Sequence, residues 1–122
     1  MPSHTLYEDK DVMVFLDIYP VSKGHCLLIS KEHYETIYDI PENETAFLSK
    51  LPIIAKRMKE ASEATGINIL QSNGKDAGQI INHLHFHIIP RFPDDNLIKF
   101  PPQSEFREET AKEIIEKFKK YN

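Results

Sequence analysis

The sequence has a single cysteine, no tryptophan and no long apolar run. Cys26 cannot form a disulfide within the chain, which is consistent with a reducing compartment. No apolar stretch approaches the length of about 18 residues that a membrane-spanning helix requires. A signal peptide is not evident either, so we expect a cytoplasmic protein that binds no membrane. Internal repeats and low-complexity segments are also lacking.

An excess of basic residues is lacking as well. Fifteen Lys and Arg stand against 19 Asp and Glu, for a net charge of −4. This balance argues against a nucleic-acid-binding surface. A small anionic molecule can still bind, because loop amides and imidazoles form a local site whatever the total charge. The length of 122 residues predicts one domain, 1–122, with a hydrophobic core.

What the sequence does have is a cluster of histidines in the segment His83-Leu84-His85-Phe86-His87-Ile88-Ile89. Half of the six histidines lie here, at every second position. A period of two is typical of a β-strand, so we expect a strand over 83–89 with the three imidazoles on one face. The intervening Leu84, Phe86 and Ile88 should then face the core.

Clustered histidines have two general uses, which the pattern alone does not separate. Neutral imidazole is a common ligand of Zn²⁺, which would make this a metal site. Imidazole also titrates near neutral pH and can act as an acid, a base or a nucleophile. Three histidines in register favour either of these uses over a strand whose wet side is merely polar.

The remaining pattern predicts an α+β domain, an antiparallel sheet with helices packed on it. Three more strands are predicted at Val12–Leu16, His25–Ile29 and Ile67–Gln71. An amphipathic helix is predicted from about Glu42 to Thr65, with Gly66 as its C-terminal cap and Pro52 as a kink or the end of a first turn. Its apolar stripe consists of Phe47, Leu48, Leu51, Ile54, Ala55, Met58 and Ala61. A second helix should follow Ser104 as N-cap, with Phe106, Ile114, Ile115 and Phe118 as its stripe.

Two further blocks accompany the histidines. The loop before them contains Ala77-Gly78-Gln79. An earlier block contains Asp17, Pro20 and His25, at the end of one predicted strand and the start of the next. With these blocks the chain resembles the histidine triad family of nucleotide hydrolases and transferases, in its prokaryotic form, over about residues 6–92. The resemblance implies a five-stranded antiparallel sheet with one long central helix and a C-terminal helix. It also implies a homodimer formed by the long helix and its neighbouring strand, although the stripe from Phe47 to Met58 could equally be core.

The resemblance implies a role for each matching residue. His85 would be the nucleophile, His87 would hold phosphate oxygens or the leaving group, and His83 would pair with His25 in support. Asp17 would bind the ribose hydroxyls and Ile18 the sugar or base. Gly78 and Gln79 would approach the α-phosphate through their backbone, with Ser72 or Asn73 beside it. Asp17 could instead be only a turn carboxylate, and Asn73-Gly74 only a turn.

Two departures from the family pattern matter. Ile80 stands where many relatives have a Ser or Thr that touches phosphate. Many prokaryotic relatives also have an N-terminal Cys-x-x-Cys that completes a structural zinc site with two histidines. This chain has only the matching His33 and His83, with His4 as a conceivable third ligand, and two ligands do not close a tetrahedral site. We therefore expect no metal and no cofactor.

The resemblance implies a nucleotide hydrolase or transferase that cleaves at the α-phosphate of a purine nucleotide derivative through a nucleotidyl-histidine intermediate. AMP phosphoramidates and dinucleoside polyphosphates are both candidate substrates. Two other classes remain open from the sequence. One is a non-catalytic nucleotide-binding dimeric scaffold, and the other is a metal-binding protein that uses His83, His85 and His87.

Overall fold

The computed structural model describes residues 4–97 and 101–120, and these form one five-stranded sheet and two α-helices. The strands are β1 Thr5–Glu8, β2 Val12–Leu16, β3 Cys26–Ser30, β4 Gly66–Leu70 and β5 His85–Arg91. The helices are α1 Lys50–Ser62 and α2 Glu108–Lys119. All neighbouring strands are antiparallel in the order β1-β2-β3-β5-β4, so β5 is interior and β4 is an edge strand. The predicted α+β architecture is confirmed.

The histidine strand begins two residues later than predicted. Its ladder with β3 starts at the Ile29–His85 pair, and His83 lies in a bend before it. The amide of Leu84 donates to the carbonyl of Tyr34 at 2.7 Å, outside the sheet, which ends the ladder at His85. Within β5 the alternation holds, because Phe86 and Ile88 are buried whereas His85 and His87 are only partly so.

The central helix is shorter than predicted. Residues before Lys50 form two 3-10 turns, Glu42–Glu44 and Ala46–Ser49, instead of a continuous helix. Pro52 lies in the first turn of α1. N–H groups in a first turn have no acceptor within the helix, so a proline there costs no hydrogen bond. Gly66 does not cap the helix, because Glu63 adopts the left-handed conformation with φ 59° and ends α1 three residues earlier. Gly66 instead begins β4.

The core lies between α1 and one face of the sheet. Phe47, Ile54 and Met58 are buried there together with sheet residues such as Leu28 and Ile88. Leu48, Leu51 and Ala55 pack against the same cluster. These members of the predicted stripe therefore belong to the core, which the periodicity alone could not decide.

Helix α2 begins at Glu108, so the prediction that Ser104 is its N-cap was wrong. Arg107 occupies the N-cap position and makes no side-chain capping bond. The predicted stripe residues Ile114, Ile115 and Phe118 do lie on α2, and all of them are exposed. Phe106 precedes the helix and is exposed as well. β1, for which no strand was predicted, is short and mostly exposed. Among the residues described, no helix combines the length and apolar character needed to cross a membrane.

Candidate active site

The candidate site is a cleft on the sheet face opposite α1. Because side chains alternate along a strand, the burial of Phe86 and Ile88 against α1 turns His85 and His87 to the other face. The cleft has a volume of about 450 Å³. It is lined by Phe15, Leu16, Asp17, Ile18, Tyr19, Leu27, Ile81, His85 and His87. A mostly apolar cleft with a few convergent polar groups is typical of a small-molecule site.

The ring of His85 has a defined orientation. Its Nδ1 lies 2.8 Å from the main-chain carbonyl oxygen of His83. Because a carbonyl oxygen only accepts hydrogen bonds, Nδ1 carries the proton and donates it. The lone pair of a neutral His85 is then on Nε2, available to the cleft that the ring lines. This is the state that a nucleophilic imidazole requires.

His25 and His87 form a hydrogen-bonded pair of rings beside His85. His25 precedes β3 and is 4% exposed, and its Nε2 lies 3.0 Å from Nδ1 of His87. The amide of Val21 donates to Nδ1 of His25 at 3.1 Å, so a neutral His25 carries its proton on Nε2. His25 therefore donates to His87, and the proton of a neutral His87 lies on its own Nε2.

The electrostatic environment favours the neutral forms of His25 and His87. Burial lowers the pKa of His25, and the Asp17 carboxylate partly offsets that shift. Burial also lowers the pKa of His87, and the neighbouring rings of His85 and His25 lower it further. An oxygen of Asp17 lies 3.5 Å from Nε2 of His25. The other oxygen of Asp17 accepts the amide of Tyr19 at 2.8 Å, so this carboxylate both closes a turn and lines the cleft.

The predicted pairing of His83 with His25 was wrong. Nδ1 of His83 lies 3.2 Å from Nδ1 of His33, and its Nε2 donates to the carbonyl of Ser30 at 3.2 Å. His83 falls outside the sheet ladder, so its ring turns toward His33 and does not line the cleft. Its contribution to the site is the main-chain carbonyl that orients His85.

In the glycine-containing loop, the groups that were predicted to contact phosphate instead make hydrogen bonds within the protein. The amides of Gly78 and Gln79 donate to the carbonyls of Lys75 and Gly74 at 3.0 Å each. The side-chain amide nitrogen of Gln79 donates to the carbonyls of Glu35 and Ile81. The Asn73 side-chain oxygen accepts the amide of Ile37 at 2.8 Å.

None of the four predicted loop residues lines the cleft, which Ile81 reaches instead. The four are Ser72, Asn73, Gly78 and Gln79. The side chain of Asn73 bonds to Ile37 and to Gln71, so it connects the loop to another segment and does more than close a turn. In contrast, Ile18 does line the cleft, as the resemblance implied.

The histidine nitrogens do not converge as a three-histidine metal site would require. Nδ1 of His85 is directed at a carbonyl, Nδ1 of His87 at His25, and His83 is turned toward His33. Within the described part of the chain, Asp17, His25 and His87 are the group whose donor atoms could hold a metal ion, all within 4.8 Å. At His33 and His83 two imidazoles meet without a cysteine, because Cys26 is buried in β3, so these residues do not fit a closed zinc site.

Sequence reasoning missed two parts of the site. The amide of Val21, which sets the tautomer of His25, is a backbone group in an irregular turn and has no sequence signal. Phe15, Leu27 and Ile81 line the cleft as ordinary apolar residues. For Phe15 and Leu27 a signal was available, because they alternate along their strands with Val14 and Leu28, which belong to the core.

Comparison with known proteins identifies relatives over most of the chain. A family profile described as HIT domain matches residues 1–94. An uncharacterised HIT-like protein of Methanocaldococcus jannaschii is 41% identical over 102 residues, which cover 82% of this chain and 78% of the relative. A crystal structure of a HIT family member from Bacillus subtilis matches with a TM-score of 0.89 at 34% identity, over 98% of this chain and 88% of that chain.

Several relatives have names that state an activity, among them the following two. An adenosine 5'-monophosphoramidase of Saccharomyces cerevisiae is 44% identical over 91 residues, covering 75% of this chain and 56% of the relative. An adenylylsulfatase of Arabidopsis thaliana is 42% identical over 97 residues, covering 79% of this chain and 49% of the relative. The chain therefore spans about half the length of these two enzymes.

Proposed function

The chain belongs to the HIT family, and from that premise we propose that it is a hydrolase that cleaves purine nucleotide derivatives at the α-phosphate. The observation that carries the proposal is the His85 ring, whose Nδ1 is bound to the carbonyl of His83 at 2.8 Å while the ring lines an apolar cleft. Its relatives include an adenosine 5'-monophosphoramidase, which makes an AMP phosphoramidate the first substrate to test. Dinucleoside polyphosphates present the same α-phosphate and are the second candidate.

The cleft suits a nucleoside in both shape and chemistry. Ile18, Leu27 and Ile81 supply aliphatic surface for a flat base. Asp17 supplies a carboxylate that can accept hydrogen bonds from both ribose hydroxyls while it keeps its bond to the Tyr19 amide. A nucleoside bound in this way carries its α-phosphate toward His85 and His87.

The reaction would proceed in two displacements at phosphorus. Nε2 of His85 forms a bond to the α-phosphorus, and the bond from phosphorus to the leaving group breaks. The leaving group departs with that electron pair and takes a proton from water in the open cleft. A water molecule then forms the new P–O bond and gives its proton to the hydroxide left by the first step, while the P–N bond breaks and its electron pair returns to Nε2 of His85.

His87 and His25 would support these steps without transferring a proton. The Nε2–H of His87 can donate a hydrogen bond to a phosphate oxygen as negative charge accumulates there. This proton stays on the cleft side because the Val21 amide holds Nδ1 of His25 as an acceptor and His25 donates to His87. The reaction needs no cofactor.

The test is the substitution His85→Asn in the purified protein. Turnover of an AMP phosphoramidate should fall by several orders of magnitude, because the covalent nucleophile is lost. Binding of AMP should survive, since Asn is polar and of similar size. Acid-sensitive nucleotidyl-histidine should be trapped from the unaltered protein and not from the variant.

His83→Asn is the matched control, because it makes the same substitution in the same segment and keeps the main-chain carbonyl that orients His85. It should cost much less activity. Near-normal turnover by His85→Asn would contradict the nucleophile assignment. Tight AMP binding without turnover by the unaltered protein, on phosphoramidates, diadenosine polyphosphates and ADP-sugars, would favour a binding scaffold instead.

We also propose that the protein acts as a homodimer, in which β4 and α1 of two copies meet. Support comes from the position of β4 at the sheet edge, where it has a free hydrogen-bonding side. Ile69 and Leu70 on this strand are exposed. The molar mass in solution tests this proposal, and a chain that stays monomeric at micromolar concentration would contradict it.

A further inference from the structure

The C-terminal arm, residues 101–120, is exposed along its whole described length apart from the half-buried Ala111. Its helix α2 has Ala111, Ile114, Ile115 and Phe118 at the i, i+3, i+4, i+7 spacing of an apolar stripe. Phe106 and Phe118 are 74% and 70% exposed. A helix of this length is marginal in water without a packing partner, and clustered exposed apolar residues indicate a contact surface.

An apolar groove lies between β1 and α1. It has a volume of about 130 Å³. Its lining residues are Leu6, Tyr7, Val14, Ile54, Arg57, Met58 and Ala61. Ile53 is half-exposed and precedes Arg57 by one helical turn, so it extends the apolar surface along α1. An amphipathic helix that lays an i, i+3, i+4, i+7 stripe into such a groove is a recurring mode of recognition.

The charges beside these two surfaces are complementary. On α1, Lys56, Arg57 and Lys59 outnumber the single acidic residue Glu60, whereas Lys50 is paired with Asp9. The arm begins with the opposite balance, since Glu105, Glu108 and Glu109 surround Arg107. The acidic start of the arm would therefore be attracted to Arg57, which lines the groove, and this attraction would orient α2 along α1.

We propose that the arm of one chain binds the β1–α1 groove of a second copy, and that the second copy returns its own arm in the same way. Pro101 and Pro102 favour an extended arm and oppose a sharp return to its own groove. Residues 101–107 accordingly form no helix or strand and are exposed up to α2. Because donor stripe and acceptor groove lie on the same chain, a two-fold exchange covers both surfaces in a closed pair.

The first test is cross-linking between two single-cysteine variants. Chains with Ala61→Cys in the groove and isotope-labelled chains with Ala111→Cys in the stripe are mixed, equilibrated and treated with a short bismaleimide. The native Cys26 should not react, because it is buried and burial raises the pKa of its thiol to about 12. A product that joins one labelled and one unlabelled chain is expected.

Glu113→Cys, on the opposite face of α2, is the control and should give little product with Ala61→Cys. Equal yields from Ala111→Cys and Glu113→Cys would overturn the proposal, because the stripe would then not face the groove. A variant with both Ala61→Cys and Ala111→Cys that links only within one chain would also overturn it, since the arm would then fold back on its own body.

The second test compares Ile115→Lys with Glu116→Gln, which each raise the net charge by one at neighbouring positions. Ile115→Lys should lower the midpoint of thermal unfolding by several degrees and reduce its dependence on protein concentration, because the contact between two copies is weakened. Glu116→Gln should leave the midpoint nearly unchanged. Identical midpoints for the two variants would mean that the stripe contacts nothing, and would overturn the proposal independently of the cross-linking result.

Discussion

At the scale of single residues, the site depends on which nitrogen of each histidine carries a proton. Two backbone groups decide this, namely the carbonyl of His83 for His85 and the amide of Val21 for His25. Backbone groups hold their positions through the sheet and its turns, and they do not titrate near neutral pH. The tautomers of His85 and His87 are therefore set by the fold before any substrate binds.

Asp17→Ala should weaken binding of AMP by about 1–3 kcal/mol, the range for hydrogen bonds to a partly buried carboxylate. Isothermal titration with AMP measures this loss. Asp17→Asn keeps an oxygen for the Tyr19 amide and should separate the turn contribution from the contribution of the charge. Asp11→Ala, at the other end of β2, is the control and should bind AMP normally. An unchanged affinity in Asp17→Ala would remove this residue from the ribose site.

At the scale of elements, the turn between β2 and β3 connects the helix side of the sheet to the site. Ser22 in this turn donates to the carbonyl of Pro90 in β5 at 2.7 Å. Gly24 packs against α1, so closely that a Cβ there would lie 2.9 Å from Sδ of Met58 and 3.2 Å from Cβ of Ser62. The next residue is His25, so the packing of α1 helps to determine where this histidine lies.

Gly24→Ala should destabilise the fold more than Gly74→Ala does. Both glycines have a φ near 90°, which is unfavourable for alanine, but a Cβ at Gly74 would meet nothing within 4 Å. The overpacking at Gly24 should add about 1–3 kcal/mol to the loss in unfolding free energy. Urea unfolding of the two variants measures the difference. Equal losses would mean that α1 shifts freely and does not fix the turn.

At the scale of the whole molecule, the sheet separates two functions between its faces. One face packs on α1 and forms the core around Val14, Leu28 and Ile88. The other face carries the cleft with Asp17, His85 and His87. The groove proposed to receive the arm lies on the α1 side, so exchange of arms can stabilise the fold without contact with the cleft.

Stability should fall as the pH decreases from 7.5 to 5. The pKa values of His25 and His87 are lowered from 6.5 in the folded protein, so the unfolded chain binds more protons below that value. Stability rises with pH wherever the unfolded chain binds more protons than the folded protein. The contribution of these two histidines is therefore fully present above pH 6.5 and is lost as the pH falls below it. Urea unfolding at several pH values measures this slope.

The substitution His87→Gln should make that slope shallower, whereas His33→Gln, at an exposed position, should leave it nearly unchanged. Asp9 and Asp95 should not contribute to this slope between pH 7.5 and 5, because their hydrogen bonds hold the pKa of each carboxyl well below its usual value. A slope that is the same in all three proteins would contradict the assignment of this pH dependence to His87.

The sequence by itself determined the parts that depend on local periodicity and on short motifs. Alternation in residues 83–89 predicted that His85 and His87 share a face, and the blocks around Asp17 and Gln79 predicted the family and the five-stranded sheet. Asp17, Ile18, His85 and His87 were identified in this way, and all four line the cleft. Each of these residues is placed by its own strand or by the turn next to it.

Only the tertiary structure decided how groups from distant segments pair. It replaced the predicted His83–His25 pair with His25–His87 and His33–His83, because the ladder begins at His85 and leaves His83 outside it. In the glycine-containing loop, the amides of Gly78 and Gln79 donate to carbonyls of the same loop. The Phe47–Met58 stripe belongs to the core. Spacing along a chain cannot predict such pairings, because they depend on strand register and on backbone groups that carry no side-chain signal.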